Sequence, residues 1–240
     1  IASVFSTVFY NVTYLLFIVV LFSNTKHIAG YTKDEMLLFY LFAEFGAYYY
    51  GVFVDSNVSN FIKSINNGSL DLILVKPLDS LYYLNIWKIK IFSGVRDAIP
   101  PLIIVASVIN WSNLNIDLLS FLSGVVIWFI GMQIVHAMLW IAALPTFWLG
   151  EGKEIYALFQ ESWFGAGATV PYEGIPQVIK VIFTYIIPGI IPVALAASVA
   201  LKRSEFLPVL IVSVIILFIF INLRRLAWKF ALRSYTSASS

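Results

Sequence analysis

A helix of about 20 apolar residues is just long enough to cross a hydrocarbon core about 30 Å thick. This sequence holds runs of that kind at 1–22, 36–54, 88–109, 118–144 and 205–223, with a less hydrophobic candidate at 154–170. In lipid every backbone N–H and C=O must be satisfied within the protein, and a helix does so inside each segment. The runs therefore predict an all-α polytopic membrane protein with six transmembrane helices. Composition agrees: 60% of the 240 residues are hydrophobic and 12% are charged, whereas a soluble domain carries about a quarter charged residues. The sequence begins at Ile1 directly in an apolar run, so we expect a segment ahead of it, and 1–22 to be retained as a span.

Residues 175–201 are apolar but interrupted by Pro188, Gly189 and Pro192. Prolines and glycine in mid-run remove helical hydrogen bonds and break the helix. A re-entrant external hairpin over 171–201 fits this better than a seventh span. Basic residues favour the cytoplasmic side, and with both termini inside, ten of the fifteen Lys and Arg residues lie there. Lys26, Lys33, Lys180, Lys202 and Arg203 fall outside. Trp87, Trp111, Trp148 and Trp228 stand near proposed span ends, as interfacial anchors do.

Several function classes are excluded. A net charge of +2 without a basic patch implies no nucleic-acid partner. There is no cysteine, and the two histidines, His27 and His136, are far apart, so no metal site is expected. No G-x-x-x-x-G-K-[ST], G-x-S-x-G or H-E-x-x-H string occurs. The chain is not expected to be an enzyme by itself, nor to bind a cofactor.

Polar segment 55–90 carries the strongest pattern. Val58, Phe61, Ile62 and Ile65 recur at i, i+3, i+4 and i+7, opposite Ser59, Asn60, Lys63, Ser64 and Asn66, and Gly68 follows where a helix can end. Such a helix either lies in the membrane interface or docks a cytosolic partner. Within the spans, Glu44 is a carboxyl at mid-membrane depth, which must face protein or water. It lines a permeation path or is a hydrogen-bonded packing residue. Tyr48, one turn further on, and Glu161 are further path candidates. Gln133 and His136, at i and i+3, are placed to hydrogen-bond between helices. The Asn-x-Ser/Thr strings at Asn11, Asn57 and Asn67 fall in a span or on the cytoplasmic side, where glycosylation does not reach.

The run Ile65-Asn-Asn-Gly68-Ser-Leu70-Asp71-Leu-Ile-Leu74-Val-Lys76-Pro77-Leu78 resembles the loop of type-2 ABC exporter permeases, approximately I-R-x-G-x-L-D-x-x-L-L-(K/R)-P-L. Asn66 stands where that family commonly has arginine. The tail from Trp228 through Arg233 and Tyr235 to Ser240, and Val170-Pro171-Tyr172 leading to Tyr185-Ile-Ile-Pro188, are similar to two further segments of the family in the same order. The resemblance implies one permease domain over 1–240, with a coupling helix at 56–67 that rests in a groove of an ATPase. Asn60, Phe61, Lys63, Ser64, Asn66, Asn67, Gly68, Asp71, Lys76 and Pro77 would form the coupling region. It also implies a second permease half, identical or paralogous, and two cytosolic ATP-binding subunits that hold ATP and Mg, in a bacterial inner membrane. The alternative from residues alone is a secondary transporter or channel using Glu44 and Glu161.

Overall fold

A computed structural model describes residues 2–150 and 152–235. The last five residues of the tail motif, 236–240, lie outside the described residues, as do Ile1 and Glu151. All secondary structure described is helical apart from one isolated bridge between Ile28 and Tyr31.

Helix α1 (Ala2–Ser23) is followed by α2 (Lys33–Tyr49). Thr32 starts α2 with a reciprocal cap: its hydroxyl accepts from the Glu35 N–H, and the Glu35 carboxylate accepts from the Thr32 N–H at 2.8 Å. A π-helical stretch, Tyr50–Val54, carries α2 without interruption into α3 (Asp55–Asn66). The result is a continuous 34-residue helix, Lys33–Asn66. The span and the polar helix after it are thus one rod. Gly68, at φ 73°, supplies the left-handed residue that closes it, with its N–H on the Ile65 carbonyl.

Two short helices, α4 (Asp71–Leu74) and α5 (Ser80–Ile86), lead to α6 (Ile91–Val108), which contains Pro100, Pro101 and an Arg96–Asp97 ion pair of 2.8 Å. Helix α7 (Leu118–Ala143) is the centre of the fold and packs on α2. Beyond α8 (Thr146–Leu149), the weak candidate at 154–170 resolves into α9 (Lys153–Ser162) and a π turn, Trp163–Gly167. Then come α10 (Gln177–Val181), continued as π helix to Ile186, a break, a second π turn (Ile191–Leu195) running into α11 (Ala196–Ala200), and α12 (Phe206–Arg233). Helix α7 also packs on α9, α11 and α12.

Four helices among the described residues are long and apolar enough to cross a membrane: Val4–Ser23, Lys33–Asn66, Leu118–Leu149 and Phe206–Arg233. The pair Gln177–Ile186 and Ile191–Ala200, bent by 106°, adds up to a fifth if it is one broken span. Its inner limb, 188–201, is buried throughout. Irregular backbone in a bilayer must be buried in protein or line a water-filled cavity; this bend is covered by protein, and a Cβ added at Gly167 would collide with the Gly189 carbonyl.

Glycines on α7 make that burial possible. A Cβ at Gly131 would stand 2.6 Å from the backbone of Pro192, and one at Gly124 would stand 2.8 Å from the Ala196 carbonyl oxygen. The two lie seven residues apart on one face, so the inner limb packs flush on α7. Helix α12 runs ten residues past the apolar stretch expected at 205–223. Hydropathy stops at Arg224, but Arg, Leu, Ala and Lys are good helix formers and carry the helix on.

Candidate functional site

The apolar stripe of α3 does not face lipid. Val58 and Phe61 are fully buried within the chain, and the Phe61 ring lies 5.1 Å from Trp140, 5.6 Å from Trp228 and 5.7 Å from Phe147. Trp228, expected as an interfacial anchor, is instead buried in this aromatic cluster, because the continuing α12 brings its ring against α3 and α8. Trp111 and Trp148 are exposed.

Asn57 ties the rest of the polar segment to α3. Its amide donates to the Phe53 and Asn85 carbonyls at 2.9 and 2.8 Å, and its carbonyl accepts from the Lys88 N–H at 2.6 Å. This residue escaped sequence reasoning, which saw only a glycosylation-like string. A usable signal was present: Asn57 falls on the buried stripe, three residues after Val54 and four before Phe61, and a buried amide needs partners.

Of the residues placed at the coupling region, Lys63, Asn66 and Asn67 are exposed, and Asn60 and Gly68 are partly exposed. Ser64 is buried, its hydroxyl donating to the Phe61 carbonyl at 2.7 Å. Asp71 is partly exposed, and Pro77 and Lys76 are exposed, with the Lys76 ammonium 2.7 Å from the Tyr83 hydroxyl and over its ring. The outward face of α3 lies between two grooves. One, about 610 Å³, runs along Asp55, Asn60, Lys63 and the Trp87–Lys90 backbone turn. The other, about 500 Å³, lies between α3 and Lys153, Glu154 and Gln160 of α9.

Glu44 is buried at the contact of α1 with α2. Its Oε2 accepts from the Asn11 amide at 3.3 Å, while the Tyr40 hydroxyl donates to the Asn11 carbonyl oxygen at 2.9 Å and the Tyr40 ring stacks on Tyr14. Asn11 itself is fully buried. Tyr48 is half-buried one turn on. Glu161 is exposed on α9, which packs on α7, so the two carboxyls expected to share a path sit on different helix pairs. Gln133 donates to the Tyr49 hydroxyl at 2.7 Å, joining α7 to α2 as the spacing suggested. The Trp140 indole donates to His136 Nε2 at 3.0 Å. An indole N–H only donates, so Nε2 is an acceptor, His136 is neutral and its proton sits on Nδ1, 3.4 Å from the Tyr49 hydroxyl.

On the face expected outside, the exit of the bent pair is held by charge. Lys202 pairs with Asp117 and Arg203 with Glu35, each at 2.8 Å, and Arg203 also donates to the Gly30 carbonyl. Ser198 donates to Glu173 at 2.7 Å. The Lys202 hydrogen bond, followed by those from the Ser120 N–H and hydroxyl, holds Asp117 well below the usual carboxylate range. Burial works against the charge on Arg203, but the hydrogen bond and charge of Glu35 outweigh it and raise its pKa. Two of the basic residues that the charge rule left outside are thus ion-paired. Proline-marked Pro171 begins the short turn before α10, and Pro188, Gly189 and Pro192 form the buried bend.

No curated protein and no solved structure matches this chain. Residues 8–239 match the family described as ABC-2 family transporter protein, from the second turn of α1 through nearly the whole tail. A chain of apolar helices around α7, with a polar helix continuous with its second span, therefore belongs to the ABC-2 transporter family and has a transport permease role.

Proposed function

We propose that the chain is one permease half of an ATP-driven exporter in a bacterial cytoplasmic membrane, with both termini on the cytosolic side. It works with a second permease half, identical or paralogous, and with two cytosolic ATP-binding subunits that hold ATP and Mg. α1, α2, α6, α7, α9 with its π turn, and α12 form the six spans, and the bent pair is re-entrant from outside. The observation that carries the reading is α3: its polar face points outward between two grooves, while its apolar face is clamped by Phe61 among Trp140, Phe147 and Trp228. A push on Lys63 or Asn66 passes along the unbroken rod into α2 and through the ring cluster into α7 and α12. The secondary-transporter reading has less support, since Glu44 is already hydrogen-bonded by Asn11 and Glu161 lies elsewhere.

Charge reversal on the exposed face tests this without touching the core. In Lys63→Glu combined with Asn66→Glu, the melting temperature of the chain should stay unchanged. Copurified ATPase and ATP-dependent efflux from inverted vesicles should both drop at least about tenfold, because a mismatched charge at an interface costs upward of about 1.4 kcal/mol. Wild-type efflux and ATPase recovery in that variant would overturn the proposal.

A further inference from the structure

Between α5, α7 and α12 lies a cavity of about 470 Å³ that the transport reading does not use. Arg224, Arg225 and Lys229 line it, with Asp79, Asn85 and His136 opposite. Its charge is positive: three cations face one carboxylate, and His136 is held neutral by the Trp140 indole. One oxygen of that carboxylate, Asp79 Oδ1, caps α5 by accepting from the Tyr82 N–H at 2.7 Å, and its single charge leaves the three cations in excess. Arg224 is half-buried; its Nη1 donates to Asn85 Oδ1 at 3.2 Å, while its Nε is buried without a hydrogen-bond partner among the described residues. A buried guanidinium N–H without an acceptor is costly, and a phosphate oxygen is the acceptor that suits a guanidinium best.

Depth decides which anion reaches it. Residues Phe206–Leu223 of α12 carry no charge, and at 1.5 Å per residue these 18 residues span about 27 Å, close to the hydrocarbon thickness. Arg224 therefore begins where the hydrocarbon ends, at headgroup level. Immediately before it on α12, Ile215, Phe218, Ile219 and Leu223 are exposed, and Phe129 is exposed one turn before Gln133 on α7. An acyl chain lying on these residues would put its phosphate at the mouth of the cavity.

We propose that this cavity is a binding site for an anionic phospholipid of the cytoplasmic leaflet, its headgroup phosphate held by Arg224, Arg225 and Lys229. Basic pockets between helices at this level are suited to acidic headgroups. Arg225 and Lys229 are exposed on α12 and, among the described residues, make no hydrogen bond or ion pair, so they are the positions to vary first.

The test uses the full chain purified in detergent, titrated with phosphatidylglycerol, phosphatidylcholine, glycerol phosphate or inorganic phosphate, and read by native mass spectrometry. One phosphatidylglycerol should be retained per chain in preference to phosphatidylcholine, with the two soluble phosphates competing only weakly. Arg225→Gln with Lys229→Gln should weaken phosphatidylglycerol roughly thirtyfold, from about 1 kcal/mol per basic residue, and Lys153→Gln on α9 should leave it unchanged. Three results would overturn the assignment. These are equal retention of phosphatidylcholine, equal weakening by Lys153→Gln, and displacement by inorganic phosphate at the same concentration as the lipid, which would make the site one for a free anion.

Discussion

Truncating Phe61 to alanine separates a ring that holds α3 in place from a ring that waits for a partner. The side chain is fully buried, with ring centroids of Trp140, Trp228 and Phe147 at 5.1, 5.6 and 5.7 Å. Losing a buried phenylalanine to alanine costs about 3–5 kcal/mol. The three aromatic pairs, at about 0.5–1.5 kcal/mol each, fall in the same range and are part of that figure rather than an addition to it. For a chain of this length, about 2–4 °C per kcal/mol makes the expected fall in melting temperature about 6–20 °C. Phe61→Leu, which keeps part of the buried volume but loses the three ring pairs, should cost less than Phe61→Ala and more than nothing. Thermal unfolding of the isolated chain in detergent, followed by tryptophan emission, reads the effect where it occurs, since Trp140 and Trp228 are in the cluster. If Phe61→Ala left that midpoint in place and abolished only ATPase association, the ring would be a docking contact and the clamp argument would be wrong.

Two further outcomes follow from close approach and from charge. Gly131→Ala should cost about 1–3 kcal/mol, because its Cβ would meet Pro192 backbone at 2.6 Å; Gly51→Ala, where an added Cβ meets nothing within 4 Å, should be neutral or stabilising in the same melt. Equal effects at the two sites would remove the tight seam between α7 and the bent pair. Asp117→Asn keeps the helix cap and removes the charge that Lys202 holds. Since the folded-state pKa of Asp117 is depressed, the bridge contributes at neutral pH, begins to fade below about pH 4 and is lost as pH falls through the lowered value. The gap in melting temperature between wild type and Asp117→Asn should therefore shrink from pH 7 to pH 2.5, and a constant gap would refute the assignment.

Much of the site was legible because its signals are local. The i, i+3, i+4, i+7 stripe from Val58 to Ile65 placed α3 almost residue for residue, and Gly68 marked its end at the left-handed position. Glu44 announced itself as a buried carboxyl, but its partner Asn11 stands 33 residues away on another helix and carries no mark of its own. The candidate at 154–170 was legible only in part: its apolar residues mark the extent of a helix, but nothing in their pattern shows that the backbone leaves α geometry at Trp163.

The apolar runs that open the sequence determined by themselves that this chain lives in lipid as helices, because burial of a backbone in hydrocarbon depends only on length and composition. They could not decide what each helix faces. The stripe of α3 is equally suited to a membrane surface, a partner or the chain's own core, and only the tertiary structure places Trp140, Phe147 and Trp228 against it. Likewise Arg224 reads in sequence as the first charge after a span; the fold turns it into the wall of a cavity by bringing α5 and α7 beside α12. Hydropathy is a property of each segment, whereas a site is made by residues that distant segments bring together.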